Sequence, residues 1–285
     1  MPKAWKISLV ALAAALASVL TLAAAAALRR GGTRPVRDGW PANVAHRGLS
    51  ARFPENTLAA FRTALEAGAG GLELDVRVTR DGHPVVMHDA TVDRTTDGFG
   101  TVAGMTLEAV RRLGAGSPGE GIPTLREVFE EFPEARVNID IKDWDLPSAE
   151  KVVLNVLREA GVSDRVLVAS ADHRVLRRFR RAAGGEFDTG ASRREIAVFY
   201  VLSRLHLERL LRPAYAALQV PVEYGPLRLL TPRFVRAAHS VGARVDAWVI
   251  NEPAQMREVL DLGANVVMTD RPDVLAKVLA GRESG

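Results

Sequence analysis

The sequence predicts an α/β fold, a (β/α)8 barrel of the TIM type that carries one loop insertion and is preceded by an N-terminal transmembrane helix. Three observations predict it. From residue 43 onward, short apolar runs of strand length alternate with stretches of helical period, the pattern of a parallel sheet joined by crossover helices. About eight such units within roughly 245 residues suit a closed barrel better than an open sheet. Ahead of them, Ile7 to Leu28 is a run of 22 uncharged residues, mostly Ala and Leu.

At about 1.5 Å per residue that run is long enough to cross a hydrocarbon core of roughly 30 Å. Lys3 and Lys6 before it, with Ala23, Ala25 and Ala27 near its end, also fit a cleaved signal peptide, which would leave the chain secreted. An uncleaved anchor is the better reading, since signal h-regions usually run about 7–15 residues. The chain is therefore expected at the cell membrane as a single-pass protein. Arg29, Arg30, Arg34 and Arg37 on the far flank oppose the two lysines, so orientation stays open. Residues 1–30 form this anchor, residues 31–41 a linker punctuated by Gly31, Gly32, Pro35, Gly39 and Pro41, and residues 42–285 the barrel.

Within the barrel, strands are expected near Asn43–His46, Gly71–Val76, Pro84–His88, Arg136–Ile141, Arg165–Ala169, Ala217–Val220, Arg244–Val249 and Asn265–Met268. Helices are expected over Asn56–Ala67, Pro147–Ala160 and Pro253–Leu262, the last two opening with Pro, whose missing N–H costs nothing in a first turn. The interval between Val76 and Pro84 is too short for a crossover helix, and Asp81-Gly82 reads as the turn of a hairpin that sets His88 opposite Leu74. Residues 90–123, rich in Gly and Thr, are the loop insertion over one barrel face.

Composition narrows the chemistry. Cysteine is absent, so no disulfide, thiolate cluster or cysteine nucleophile is available. Of the net charge of +4, residues 1–40 hold Lys3, Lys6, Arg29, Arg30, Arg34 and Arg37 against Asp38, and the remaining 245 residues carry 32 basic against 33 acidic side chains. A nearly neutral folded part with few aromatics lacks the clustered cationic face that nucleic acid requires, and no nucleic-acid partner is expected.

Barrels place their chemistry at the C-terminal ends of strands. Here the first strand ends in His46-Arg47-Gly48, the second holds Glu73-Leu74-Asp75, the third ends in His88-Asp89 and the fourth contains Asp140-Ile141-Lys142. Alternation with period two puts Glu73 with Asp75, and Asp140 with Lys142, on common faces. Three carboxylates, Glu73, Asp75 and Asp140, make a hard-oxygen site for Mg²⁺ or Ca²⁺. His46 and His88 beside such an ion, flanked by Arg47 and Lys142, offer a phosphate diester an acid, a base and charge neutralisation.

His46-Arg47-Gly48, Pro54-Glu55-Asn56-Thr57, Glu73-Leu74-Asp75-Val76, Thr79-Arg80-Asp81-Gly82 and Val85-Val86-Met87-His88-Asp89 together resemble the glycerophosphodiester phosphodiesterases. The likeness continues through Arg94-Thr95-Thr96, Ile122-Pro123-Thr124-Leu125, Asn138-Ile139-Asp140-Ile141-Lys142, Ala247-Trp248-Val249-Ile250-Asn251 and Thr269-Asp270-Arg271-Pro272, spanning residues 43–275. The resemblance implies a metal-dependent hydrolase that cuts a glycerol-containing phosphodiester to glycerol phosphate and an alcohol. It makes His46 and His88 the acid–base pair and Glu73, Asp75 and Asp140 the ligands of a divalent cation. It also places Arg47 and Lys142 on the phosphate and Trp248 beside the glycerol. In the family scheme the substrate's own glycerol hydroxyl attacks phosphorus to give a cyclic phosphate. Asp140 stands where Glu is commoner in the family, so a cation must lie nearer that strand or be bridged by water, and Val249 replaces a usual Thr.

Substrates implied are deacylated glycerophosphodiesters, such as glycerophosphocholine and glycerophosphoethanolamine, or lysophospholipids cut in a phospholipase D manner. The alternatives are a phosphatidylinositol-type phospholipase C and a non-catalytic barrel that binds a phosphate ligand at the membrane. Asn56 and Asp270 read as helix N-caps, with a substrate contact as the other reading of Asn56. His83, His173, His206 and His239 match no motif, and Gln219 and Glu223 stand near a late strand end within reach of the pocket. Within Glu195–Arg212, Ile196-Ala197-Val198-Phe199-Tyr200-Val201-Leu202 is too continuously apolar for a one-sided surface helix. It is either a packed barrel helix or an interfacial helix, with Arg193, Arg194, Arg204, Arg209 and Arg212 near anionic head groups.

Overall fold

A computed structural model describes residues 39–117, 119–143 and 148–283. The strands, in chain order, are β1 (Asn43–His46), β2 (Gly71–Val78), β3 (Pro84–Val86), β4 (Arg136–Ile141), β5 (Val166–Ala169), β6 (Asp188–Thr189), β7 (Ala217–Val220), β8 (Glu223–Tyr224), β9 (Leu227–Arg228), β10 (Arg244–Ala247) and β11 (Val266–Thr269). The helices are α1 (Leu58–Glu66), α2 (Leu107–Val110), α3 (Leu125–Glu131), α4 (Ala149–Glu159), α5 (His173–Ala183), α6 (Arg193–Arg204), α7 (Pro232–Ser240), α8 (Pro253–Asp261) and α9 (Pro272–Glu283).

Eight strands pair in the order β6-β5-β4-β2-β1-β11-β10-β7, every neighbour parallel. The ring closes where Ala216 N donates to Thr189 O and Ala191 N to Ala217 O, each at 2.8 Å. This is the expected (β/α)8 barrel with one strand the sequence conceals: β6 is two polar residues after Gly184-Gly185-Glu186 and has no apolar run to announce it. Pro84–Val86 lies outside the ring, antiparallel to β2.

The alternation along β2 explains which side chains enter the barrel. Leu72, Leu74 and Val76 are fully buried in a cluster with Phe61 of α1 and Val128 of α3, so the intervening Glu73 and Asp75 turn inward. Trp40, just ahead of β1, stacks on the Arg244 guanidinium at 4.2 Å, and Arg244 pairs with the fully buried Asp246. The interior is thereby filled at that level, as barrels of this type are.

The hairpin has the expected register. Val76 faces Val86, Arg77 faces Val85 and Val78 faces Pro84, and Met87 N donates to Asp75 O at 2.9 Å, which carries His88 to the level of Leu74. Strand pairing stops at Val86 rather than at His88. The insertion is more than a loop: Val92, Val102, Val110 and Ile122 bury with Val85 and Met87 into a small core of their own.

Two expectations are corrected and one open choice is decided. The helix expected from Asn56 begins at Leu58, and its cap is Thr57, whose Oγ1 accepts from Ala60 N. Asn56 instead takes φ +61° and turns toward Asp75. For Glu195–Arg212 the packed barrel helix, one of the two readings offered, is the one observed, because Phe199 and Leu202 of α6 are fully buried and Phe199 meets Phe234 of α7 edge to face at 5.1 Å. The membrane placement is not upheld either. No helix among the described residues is long and apolar enough to cross a membrane. The longest of them have 12 residues, about 18 Å at 1.5 Å per residue, against the roughly 30 Å required. The 7–28 run and most of the linker lie outside the described residues, as does Pro147.

Gly48 joins the site to α1. Its φ is +86°, and a Cβ there would stand 2.6 Å from the carbonyl carbon of Ala60 and 2.8 Å from its oxygen. Gly48→Ala is expected to cost about 1–3 kcal/mol from overpacking alone, with left-handed strain added. A lowered thermal midpoint checks this; an unchanged midpoint would show that α1 yields freely.

Candidate active site

The C-terminal ends of the strands surround a cavity of about 420 Å³, lined by His46, Arg47, Glu73, His88, Asp140, Lys142 and Trp248 among others. Seven of the eight residues singled out from the sequence thus line one cavity. The eighth, Asp75, lies just beneath at 1 % exposure, with Arg47 Nε 3.0 Å from its Oδ2, Lys142 Nζ 3.0 Å from its Oδ1 and Asn56 Nδ2 donating to Oδ2 at 3.0 Å.

β1 delivers His46, with Nδ1 2.7 Å from Asp270 Oδ1 and Nε2 3.9 Å from Glu73 Oε2. Asp270 is itself held by Ser50 Oγ at 3.0 Å and Asn251 Nδ2 at 2.7 Å. The Asp270 side chain therefore orients His46 instead of serving as the expected helix cap. Burial resists a charge on His46, but Glu73 and the Asp270 hydrogen bond outweigh it and raise the imidazole above its ordinary range. His88, just beyond β3, repeats the arrangement, with Nδ1 2.7 Å from Asp89 Oδ1. When a carboxylate holds Nδ1, it is Nε2 of each ring that is left for the cavity.

Arg47 holds φ +58°, a conformation rare for a long side chain and a mark of positions where geometry outranks local comfort. Its backbone N donates to Glu73 Oε2 at 3.2 Å, and Nη1 donates to Glu55 Oε1 at 2.9 Å. Lys142 reaches back from the end of β4 to Asp140 Oδ2 at 2.6 Å as well as to Asp75. Burial opposes its charge, yet Asp140 and Asp75 hold its pKa above the ordinary lysine value.

The carboxylates differ. Burial pushes Glu73 up to about 7, reinforced by Asp75, whereas Lys142 and Arg47 overcome burial and hold Asp75 below the usual range. Burial likewise raises Asp140, whose Oδ1 is buried without a hydrogen-bond partner. Among the described residues no three His, Asp or Glu side chains converge as a ready-made metal centre, and Lys142 bridges Asp75 and Asp140. The donor chemistry still fits a hard divalent cation: oxygen ligands, one of them unpartnered, and two carboxylates whose charge burial disfavours until a cation compensates it.

Several neighbours escape sequence reading. Arg77 donates to His88 O at 2.9 Å and to Asp143 Oδ1 at 2.8 Å. Of the two residues near the late strand end, Gln219 lines the cavity and donates to Asn138 Oδ1 at 3.0 Å, while Glu223 is exposed in the β8–β9 hairpin. None of His83, His173, His206 and His239 lines the cavity. Asp89, Glu55, Asn251 and Asp270 all lie within the stretches that carry the family resemblance, so adjacency to His88 or to a shared motif was the available signal.

A family model described as the glycerophosphoryl diester phosphodiesterase family matches residues 46–274. The chain is 35% identical over 248 residues to a glycerophosphodiester phosphodiesterase of Caldanaerobacter subterraneus subsp. tengcongensis, covering 83% of this chain and 96% of that relative. It is 31% identical over 249 residues to a glycerophosphodiester phosphodiesterase of Bacillus altitudinis, with 82% and 96% covered. Among solved structures it is similar to an Oleispira antarctica phosphodiesterase in complex with the product sn-glycerol-3-phosphate. The TM-score is 0.72 at 27% identity, covering 84% of this chain and 97% of that one.

Proposed function

Since this chain belongs to the glycerophosphoryl diester phosphodiesterase family and is a phosphoric diester hydrolase, we propose how its own residues do that work: His46 and His88 are the acid–base pair, and Arg47 and Lys142 hold the phosphate. The observation that carries the reading is the paired geometry. Two imidazoles border one cavity, each with Nδ1 on a carboxylate at 2.7 Å, beside a guanidinium and an ammonium.

One imidazole takes the proton from the attacking glycerol hydroxyl and the other gives a proton to the departing alcohol oxygen, so the pair ends the step with its protons exchanged. A hydroxyl already tethered to the phosphate gains from proximity. Water then opens the cyclic phosphate with the two roles reversed. Arg47 and Lys142 balance charge on the phosphoryl oxygens, and Trp248, 41% exposed at the rim, borders the glycerol. Glu73, Asp75 and Asp140 would hold a divalent cation, Mg²⁺ or Ca²⁺, which when bound supplies further positive charge to the phosphoryl group.

The small, strongly charged cavity favours deacylated diesters, and the product in the Oleispira antarctica complex supports glycerol phosphate as the product here. Family membership supports this over the phosphatidylinositol-type and non-catalytic alternatives. The test offers glycerophosphocholine and lysophosphatidylcholine in parallel, with Mg²⁺, Ca²⁺ or chelator, and identifies products by mass. Choline with glycerol phosphate from the first, lost with chelator, is the expected result. Choline with lysophosphatidic acid, from the second substrate alone, would replace the small-diester reading with an acyl-bearing one. Glu73→Ala should lower activity by more than the roughly 10–100-fold typical of groups that merely orient a metal ligand, and should weaken the metal dependence with it. An unchanged metal titration in that variant would remove Glu73 from the ligand set.

A further inference from the structure

Pro54-Glu55-Asn56-Thr57 and Arg94-Thr95-Thr96 are far apart on the chain, yet Glu55 and Arg94 meet beside the active site. Arg94 projects from the insertion and donates from Nε to Asp89 Oδ2 at 2.6 Å. Its Nη2 and Nη1 donate to Glu55 Oε1 and Oε2 at 2.7 and 3.0 Å. Beyond Asp89 lies His88 Nδ1, at 2.7 Å. Beyond Glu55 lies Arg47 Nη1, at 2.9 Å, and beyond Arg47 the buried Asp75.

We propose that Arg94 is a positioning residue for phosphodiester cleavage: its fork grips Asp89 and Glu55 together, so that one residue of the insertion orients both the His88 imidazole and the Arg47 guanidinium. The inference rests on the acid–base and phosphate-holding roles given above to His88 and Arg47.

An ion pair with a half-exposed arginine contributes little to stability, and stability is not what the arrangement supplies. Its value is geometric. A planar guanidinium directs donors along fixed lines and can engage two carboxylates at once, whereas a lysine ammonium at the same place is a point charge. The base from which Arg94 reaches is itself firm. Thr96 Oγ1 donates to Val92 O at 2.8 Å, and Val92 is fully buried in the insertion's own core. Asp270, behind His46, is held by neutral donors from Ser50 and Asn251, whereas Asp89 relies on a cation from the insertion. That hydrogen bond from Arg94 also holds Asp89 well below the usual carboxylate range, so it stays ionised against the imidazole. The insertion therefore acts on the chemistry as well as covering a barrel face.

The test compares Arg94→Ala, Arg94→Lys, Asp89→Asn, the Arg94→Ala/Asp89→Asn double variant and His88→Ala. The substrate is whichever of glycerophosphocholine and glycerophosphoethanolamine the wild-type chain turns over faster. Arg94→Ala is expected to lose roughly 10–100-fold, mainly in kcat, the scale of a small misplacement of reacting groups. Millimolar guanidinium ion should restore part of it, Arg94→Lys should fall between wild type and Arg94→Ala, and the double variant should lose less than the product of the single losses. A wild-type kcat in Arg94→Ala while His88→Ala is inactive would overturn the positioning role and leave the site reading standing. Losses that multiply, without guanidinium rescue, would overturn it likewise. Normal turnover in His88→Ala would remove the reading beneath it, and the positioning role with it.

Discussion

His46→Ala is expected to lower kcat by roughly 10²–10⁴-fold, the range lost when a positioned acid–base group is removed. The fold should survive, because Asp270 keeps Ser50 Oγ and Asn251 Nδ2 as donors and the β1 backbone bonds to β2 and β11 do not involve the imidazole. His46 is enclosed between Asp270 and Glu73, and neither carboxylate reaches the place its Nε2 occupies in the cavity. His88→Ala should behave comparably, its Asp89 remaining on Arg94. Steady-state kinetics beside a thermal melt separates the outcomes: near-normal turnover in either variant would remove that histidine from the pair, and a collapsed melt would mark a structural role.

The second large effect is expected at Asp75, where stability and activity should fall together. Its carboxylate is buried and neutralises Arg47 and Lys142, and Asn56 donates to it as well. Asp75→Ala strands two cations at the base of the cavity without this counter-charge. Removing one partner of a buried pair typically costs about 3–5 kcal/mol, because the desolvated partners stay behind. The same change leaves Arg47 to Glu55 and Lys142 to Asp140, each with one of its anchors gone, so turnover should drop by roughly 10²-fold or more. Urea denaturation reads the first quantity as a lowered midpoint at unchanged slope. A wild-type midpoint would show that water or a rearranged Glu73 compensates the cations, and that Asp75 does not organise the phosphate-holding pair.

Much of this site is legible in the chain because strand alternation and strand ends are local properties. The period of two in Glu73-Leu74-Asp75 is enough to turn both carboxylates inward once Leu72, Leu74 and Val76 seek the helices. Where the reading faltered, a local pattern admitted two uses. Aspartate ahead of Arg271-Pro272 fits a helix cap, and Asn56 ahead of an apolar run fits one equally well, yet both side chains are drawn to groups across the site. The strand Asp188–Thr189 carries no apolar run because it is short and its pairing, not its composition, defines it. The 7–28 run looks like a membrane span on hydropathy alone, while the described helices have at most 12 residues.

What the sequence by itself determined is therefore the barrel class, the register of the Asp81-Gly82 hairpin and the chemical inventory of the cavity. Each follows from residue type and periodicity within a few positions. Tertiary structure alone decided that Asp270 stands behind His46, that Lys142 bridges Asp75 and Asp140, and that Arg94 ties the insertion to His88 and Arg47. Asp270 reaches His46 across 224 residues of chain and Glu55 reaches Arg94 across 39. Such contacts exist only because barrel closure brings distant strand ends to one rim, where a buried charge must find a partner within hydrogen-bonding distance.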